Sequence, residues 1–464
     1  MIPRPAFPCR AAGALVALAA GLALHAPLAR AQVVTDARRL GMGGVIVSEV
    51  SGSATQNVAY RAVPRSHGLG GNNTIPIPLG LLQLIVDPPE FDSDNANFNA
   101  FELANIIVRT PYTLQIIEPE PISSDIAIDI AKNGLTIDLG ELQRLFPDES
   151  MKFGSTFQSP NLEFGTKNIF GGIRPQVEVR NTLDLDPTLQ AALGEAAPFT
   201  PNTTYGASDF IRGQSAVAVM LGGALPVLNP GADAPDGDPR QGGKALYVGA
   251  RAKYLSGVAL WQADADMSVA TGDTIFGSST PLNPDYGAEV RQTTDPGISA
   301  GSGYGFDAGV AFFLNKFEIG LGVNDIGSII DWKETDVDSF TYDSVNNEND
   351  KSPVARRQKY TTHFPTTGTL NIAYRTHTFT VAGTLDRTAN ERWIPRAGAE
   401  TWLGPTAVRG GVYLDSYKLL QFTAGTGLQL GSVGFDLALA THSRGLTTDR
   451  GLELAASVQL GKRN

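Results

Sequence analysis

The sequence predicts an all-β protein, a transmembrane antiparallel β-barrel of about 14 strands closed around an N-terminal hatch or plug. Three observations carry this. Segment after segment of the C-terminal two-thirds alternates apolar and polar residues over about ten positions, the length a tilted strand needs to cross a bilayer. The chain opens with an export leader and has no later run of 18 uninterrupted apolar residues, so any crossing is made by strands. Its 464 residues include 51 glycines, and only 18% are charged, a composition that suits many strands and turns and excludes disorder or a coiled coil.

Residues 1–31 read as a signal peptide. Arg4 and Arg10 are the positive start, Ala11 to Leu24 the apolar core, and Ala29-Arg30-Ala31 the cleavage site, so the mature chain begins at Gln32. The one cysteine, Cys9, lies inside this leader, which leaves the mature part without a disulfide, a thiolate nucleophile or a Cys-ligated metal. An exported chain of this size without cysteine suits a bacterial envelope.

Residues 32–160 alternate less regularly and are expected to form the hatch, since an unplugged barrel of this size would leak. Gly41-Met42-Gly43-Gly44 has neither the strand–loop–helix frame nor the lysine of a phosphate cradle and suits tight backbone packing. Residues 73–86 are apolar, strand or helix. Residues 125–139 read as a hairpin turning at Asn133-Gly134, and 140–147 as a short helix.

Residues 161–464 are expected to be the barrel. Segments 163–173, 174–185, 215–226 and 395–403 are its weaker strands. The clearest are Leu246 to Tyr254, Trp261 to Met267, Tyr304 to Phe312, Phe317 to Val323, Leu370 to Tyr374, Phe379 to Leu385, Val408 to Leu414, Leu420 to Leu430, Val433 to Leu439 and Leu452 to Leu460. Asn315-Lys316 and Gly431 mark turns, and Asp186-Pro187 starts a helix through Glu195 with Asp as its cap. Residues 271–300 and 333–365 read as long polar loops.

The polar faces carry charge. Arg251, Lys253, Arg375, Arg396 and Arg409 are the inward-facing cations that would steer a ligand carboxylate. Asp264, Asp266, Asp386, Glu400, Asp436 and Glu453 would otherwise neutralise them and stiffen the wall, the reading preferred on residue types alone. Catalysis is not expected. The five histidines show no metal-ligand spacing, and His442-Ser443 would point to opposite faces of a strand. The acidic run Asp233, Asp236, Asp238 lacks EF-hand spacing, and no cofactor is called for. A balance of 36 Lys+Arg against 47 Asp+Glu, net −11, argues against nucleic acid.

Ala37-Arg-Arg-Leu-Gly-Met-Gly-Gly-Val-Ile-Val-Ser48 resembles the opening of FadL-like outer-membrane barrels, the long-chain fatty-acid transporters, PorV-type secretion-associated barrels and TraF-like envelope proteins. Gly303 to Gly309, Gly320 to Gly327, Gly398 to Trp402, Val408 to Tyr413 and Phe422 to Gly427 are similar to paired strands of that group. Where those barrels often carry Asn-Pro-Ala, this chain has Asn57-Val58-Ala59. The resemblance implies fourteen strands, an N-terminal hatch, a place in the outer membrane against its lipid, and uptake of a hydrophobic small molecule such as a long-chain fatty acid that leaves sideways through the wall. The alternative it leaves open is a non-transport barrel, secretion-associated or structural, that binds secreted or envelope proteins through its outer loops.

Overall fold

The computed structural model describes residues 36–50, 52–64, 74–77, 79, 113–117, 127–131, 134–138, 151–158, 162–166, 168–228, 243–273, 283–343, 348–376, 378–387, 392–414, 420–441 and 452–460. The leader, the expected helix at 140–147, the acidic run at 233–238 and His442-Ser443 lie outside them. Among the described residues the strands are β1 (Thr74–Pro76), β2 (Thr113–Ile117), β3 (Ala127–Ala131), β4 (Gly134–Asp138), β5 (Met151–Gln158), β6 (Leu162–Gly165) and β7 (Ile169–Leu185). Then follow β8 (Thr204–Leu228), β9 (Lys244–Ala270), β10 (Asn283–Thr293), β11 (Gly301–Leu314), β12 (Phe317–Asp343), β13 (Glu348–His363) and β14 (Thr367–Arg375). The last six are β15 (Phe379–Arg387), β16 (Trp393–Leu403), β17 (Thr406–Leu414), β18 (Leu420–Leu430), β19 (Val433–Thr441) and β20 (Leu452–Leu460). The helices are short: α1 (Ala37–Gly41), α2 (Ser53–Gln56), a 3-10 turn (Val58–Arg61) and α3 (Pro187–Gly194). No helix among the described residues is long and apolar enough to cross a membrane.

Eighteen strands belong to one antiparallel sheet, and β3 and β4 form a separate hairpin. Several are pieces of one wall strand. β10 and β11 both lie between β9 and β12, β13 and β14 both border β12, β1 and β2 both pair with β20, and β5 and β6 both pair with β7. Among the described residues the eighteen therefore occupy fourteen places side by side, the number the sequence suggests.

The sheet is curled, because residues far apart along it meet in its middle. Gln176 on β7 donates to Asp325 on β12 at 3.2 Å, and Arg251 on β9 lies 3.7 Å from Glu163 on β6. Residues 36–63 touch strands all round it: α1 packs on β17 to β20, Ile46 N–H donates to Thr384 on β15, Tyr60 to Asn371 on β14, and Asn57 to the Val310 carbonyl on β11. So short a segment reaches all of these only from inside a barrel.

The faces are inverted relative to a soluble sheet. On β14, Leu370, Ile372 and Tyr374 are 46%, 53% and 37% exposed, while Asn371 and Ala373 between them are buried. On β20 the apolar Leu452, Leu454 and Val458 face out and Glu453 and Ser457 face in. Contiguous apolar surface on this scale is stable only against hydrocarbon.

The hatch is seated on glycines. A Cβ at Gly398 would overlap the Met42 carbonyl oxygen and lie 2.7 Å from its carbon; one at Gly411 would lie 2.7 Å from Gly43 Cα. On the far wall a Cβ at Gly309 would lie 2.9 Å from Val58 N, and one at Gly322 2.9 Å from Asn57 Cα. Only glycine allows two backbones this close.

Several expectations shift. The range expected as hatch, 32–160, holds both kinds of element: residues 36–63 fill the lumen, whereas β1, β2 and β5 lengthen the wall sheet. In the 127–138 hairpin Gly134 pairs with Ala131 and belongs to the ladder, not to the turn expected at Asn133-Gly134. Much of the expected loop at 333–365 is strand: residues 333–343 extend β12 and residues 348–363 form β13, paired with it. Residues 283–293 of the other expected loop are β10, paired with both β9 and β12. β13 is exposed on both faces over residues 350–354 and 356–359, where alternation is no longer required, and ion pairs such as Arg356–Asp338 at 2.5 Å tie it to β12, which keeps Thr335 and Val337 buried.

Candidate functional site

Around residues 36–63 the lumen is a network of paired charges. Glu318 on β12 accepts from the Ser48 N–H and hydroxyl, both at 2.8 Å, and pairs with Arg375 at 2.8 Å. Arg375 also meets Glu49 of the hatch at 3.0 Å. Glu400 sits between Arg38 of α1 (2.7 Å) and Arg409 (2.6 Å), and Arg409 reaches on to Asp436 at 2.6 Å. Arg396 pairs with Asp386 at 2.8 Å. Arg251 and Lys253 each lie 2.6 Å from Asp307, and Lys253 bonds Asp325 at 2.5 Å. All five inward cations named from the sequence are therefore buried with carboxylate partners. Arg375, Arg396 and Arg409 line the hatch bed; Arg251 and Lys253 belong to a second group across the lumen.

Asp36 caps α1, its carboxylate accepting from Arg38 N–H at 2.9 Å. Burial pushes its pKa up to about 6, Asp436 nearby adds to this, and Arg38 pulls the other way. Gly41, Met42, Gly43 and Gly44 lie against the wall glycines, where Gly43 N–H donates to Thr423 Oγ1 at 2.9 Å. Asn57 is wholly buried: its amide nitrogen holds the Val310 carbonyl and its oxygen caps the 3-10 turn through Ala59 N–H.

Above the hatch the lumen turns apolar. Ala216, Ala218 and Met220 of β8, Leu255 and Leu260 of β9, Ile330 and Trp332 of β12, and Phe364 form one buried cluster. Trp332 Nε1 donates to Thr362 Oγ1 at 2.8 Å, which fixes the indole.

Beside this cluster the wall is interrupted. Between the pairs Tyr304↔Ile329 and Ala308↔Val323, with Phe306↔Ile326 paired between them, β11 advances four residues and β12 six, so β12 bulges twice in succession. Asp325 and Gly327 take φ of 59° and 58°, and on the other side the ladder from β12 stops at Asn324↔Thr367 and resumes at Ile329↔His363. Asp325 N–H is satisfied by Asp307 Oδ1 at 2.9 Å rather than by a strand. The sequence did not announce this site. Its one signal is Asn324-Asp-Ile-Gly327, turn residues inside an otherwise clean alternation.

Elsewhere, a groove of about 430 Å³ at the rim is lined by Asp184, Asp186, Asp266 and Asp285 among others, open and acidic. Among the described residues no group of three or more His, Cys, Asp or Glu is placed to hold a metal.

With the geometry in place, similarities to known proteins are as follows. A family model described as a family of unknown function, DUF5723, matches residues 238–380. No curated protein matches. Among solved structures, the toluene transporter TbuX of Ralstonia pickettii is similar at 12% identity over 92% of this chain and 98% of its own, with a TM-score of 0.38. The toluene transporter TodX of Pseudomonas putida is similar at 12% identity over 68% of this chain and 90% of its own, TM-score 0.25. A Rhodopseudomonas blastica porin triple mutant follows at 11% identity over 66% and 99%, TM-score 0.19. The class of protein defined here, a plugged transmembrane β-barrel, stands on strand register, the outward apolar face and the buried N-terminal segment.

Proposed function

We propose that this is an outer-membrane barrel for uptake of hydrophobic small molecules, long-chain fatty acids among them, which leave the lumen sideways at the bulged stretch of β12 that lacks a partner between β14 and β13. The observation that carries the reading is that β12 bulges twice against β11 and has no partner between Asn324↔Thr367 and Ile329↔His363, beside the apolar cluster of Ile330, Trp332 and Phe364. An interrupted ladder facing hydrocarbon is costly, because backbone groups there find no water, and side chains such as Asp307 have been recruited to hold it open. A hydrophobic solute would pass from apolar lumen to lipid without a hydrated step, driven by burial at ~25 cal/mol per Å². No covalent step or cofactor enters.

The test is deletion of Ile326 and Gly327, which makes β11 and β12 advance equally. The variant should assemble, judged by heat-modifiable gel mobility, yet take up radiolabelled palmitate no faster than cells lacking the protein. Undiminished uptake by an assembled variant overturns the sideways route. Absence of palmitate and toluene uptake by the parent overturns the transport reading.

One observation favours a second reading, a secretion-associated or structural barrel that binds envelope proteins. β9 and β12 are 27 residues each, far more than the ~9–11 that span a bilayer, and the β12–β13 hairpin carries exposed Lys351, Arg356 and Arg357. A stable partner recovered with the parent and lost on trimming residues 336–357 would support it.

A further inference from the structure

The link between β13 and β14 belongs to the wall and to the lumen at once. Residues 364–366 lie outside any strand and opposite Asp325 to Ser328, the stretch of β12 without a partner. They are the piece of chain that covers the wall there. Thr366 Oγ1 donates to the Asp325 carbonyl at 3.2 Å, a side chain standing in for a missing ladder bond. Phe364 keeps the inward phase of Thr362, so its ring enters the lumen and joins the apolar cluster, 3% exposed. Every other buried member of that cluster sits on β8, β9 or β12; Phe364 alone lies outside a strand. It is therefore the one member that can leave without breaking a ladder, and Pro365 after it has no N–H to lose.

The ring is held in place from across the lumen. The His363 carbonyl accepts from Arg212 Nη2 at 3.0 Å and from Gln214 Nε2 at 3.1 Å, both on β8. Thr362 Oγ1 donates to Gln214 Oε1 at 2.6 Å and accepts from Trp332 Nε1 at 2.8 Å. A ring that leaves such a seat must be replaced, because an emptied apolar cavity is costly. A hydrophobic solute replaces it; a polar one does not restore the apolar contacts. We infer that Phe364 controls passage: in the empty protein its ring holds the seat of the hydrophobic solute, and a solute that takes the seat swings residues 364–366 off β12, so that filling the lumen and opening the wall are one movement. This deepens the uptake reading and rests on it.

The experiment places 4-fluorophenylalanine at position 364 of the full-length protein in lipid nanodiscs and titrates it with palmitate and, in a second series, with toluene. Binding of the radiolabelled compounds is measured in parallel. The fluorine resonance should pass to a second position in proportion to bound ligand, and amide exchange over residues 325–328 should rise with it. Phe364→Ala, whose seat is already open, should bind about tenfold more tightly, as when a binding-competent state stops being a minor one, and should exchange fast at 325–328 without ligand. Ligand that binds while the resonance and the 325–328 amides stay put overturns the inference and leaves uptake standing. So does weaker binding by an assembled Phe364→Ala, the result for a ring that does no more than pack the lumen. The fluorine measurement opens no cavity, so it decides even where Phe364→Ala does not assemble. A parent that binds neither compound removes the uptake reading and the inference with it.

Discussion

Replacing Gly398 with alanine tests how the hatch is held. The added methyl would overlap the Met42 carbonyl oxygen and sit 2.7 Å from its carbon and 3.0 Å from Met42 Cα. Normal contact between such atoms is about 3.5–4.0 Å, so the hatch backbone must lift by about 1 Å. It cannot slide aside, because Gly43 on the next residue is held equally close to Gly411. Lifting breaks Gly43 N–H to Thr423 Oγ1 (2.9 Å) and Thr423 Oγ1 to the Gly41 carbonyl (3.1 Å). Two hydrogen bonds at ~1 kcal/mol each and overpacking at ~1–3 kcal/mol give a loss of about 3–5 kcal/mol in hatch docking. Amide hydrogen exchange over residues 40–47 reads this directly, and the strand amides of β16 should stay protected. Gly213→Ala is the control, since a Cβ there meets nothing within 4 Å. Wild-type protection of residues 40–47 in Gly398→Ala would refute close backbone seating as the basis of docking.

Glu318→Gln should destabilise the barrel by about 3 kcal/mol, since the change leaves the buried Arg375 guanidinium short of a charge and weakens the bonds to Ser48; thermal unfolding in detergent measures it, and a loss below about 0.5 kcal/mol would contradict the pairing. Asp36 makes hatch docking pH-dependent. Its docked pKa, about 6, is above its ordinary 3.8, so the docked form holds a proton that the free form releases. Docking should therefore be tightest below about pH 4 and weaken as pH rises through about 6; Asp36→Asn, which keeps the cap, should flatten that part of the exchange-versus-pH profile relative to the parent, and an unchanged profile would contradict it.

The wall was legible because a barrel strand has water or packed charge on one side and lipid on the other, and period-2 alternation records both. Leu370 to Tyr374 and Leu452 to Leu460 carry that pattern undiluted, and the structure places each as a wall strand. The extensions were not legible, because β13, wet on both faces, is free to be polar throughout, and the buried face of β12 there is made in part of Thr335 and Asp338. The Asp186-Pro187 helix start was legible: capping is local, and the Asp186 carboxylate accepts from Leu189 N–H at 2.7 Å. Of the site, inward charges could be named by strand phase alone. Which cations find partners could not, since Arg251 meets Asp307 only after β9 and β11 are brought into register. Phe364 ends a stretch that reads as a polar loop, and its place in the apolar cluster is a property of the assembled lumen.

The central claim is a ring whose outer face meets hydrocarbon. Because Cys9 is the one cysteine in the sequence, single-cysteine variants on a Cys9→Ser background can each carry a nitroxide label. Labels would be placed one at a time at 370 to 374 and 380 to 385 in liposome-reconstituted protein, and their collision rates with oxygen and with a water-soluble nickel chelate compared. Positions 370, 372, 374, 381 and 385 should favour oxygen, as lipid-facing sites do, with positions 371, 373, 380 and 384 shielded from both reagents. Uniform access to the nickel reagent, or oxygen access in the opposite phase, would contradict the account.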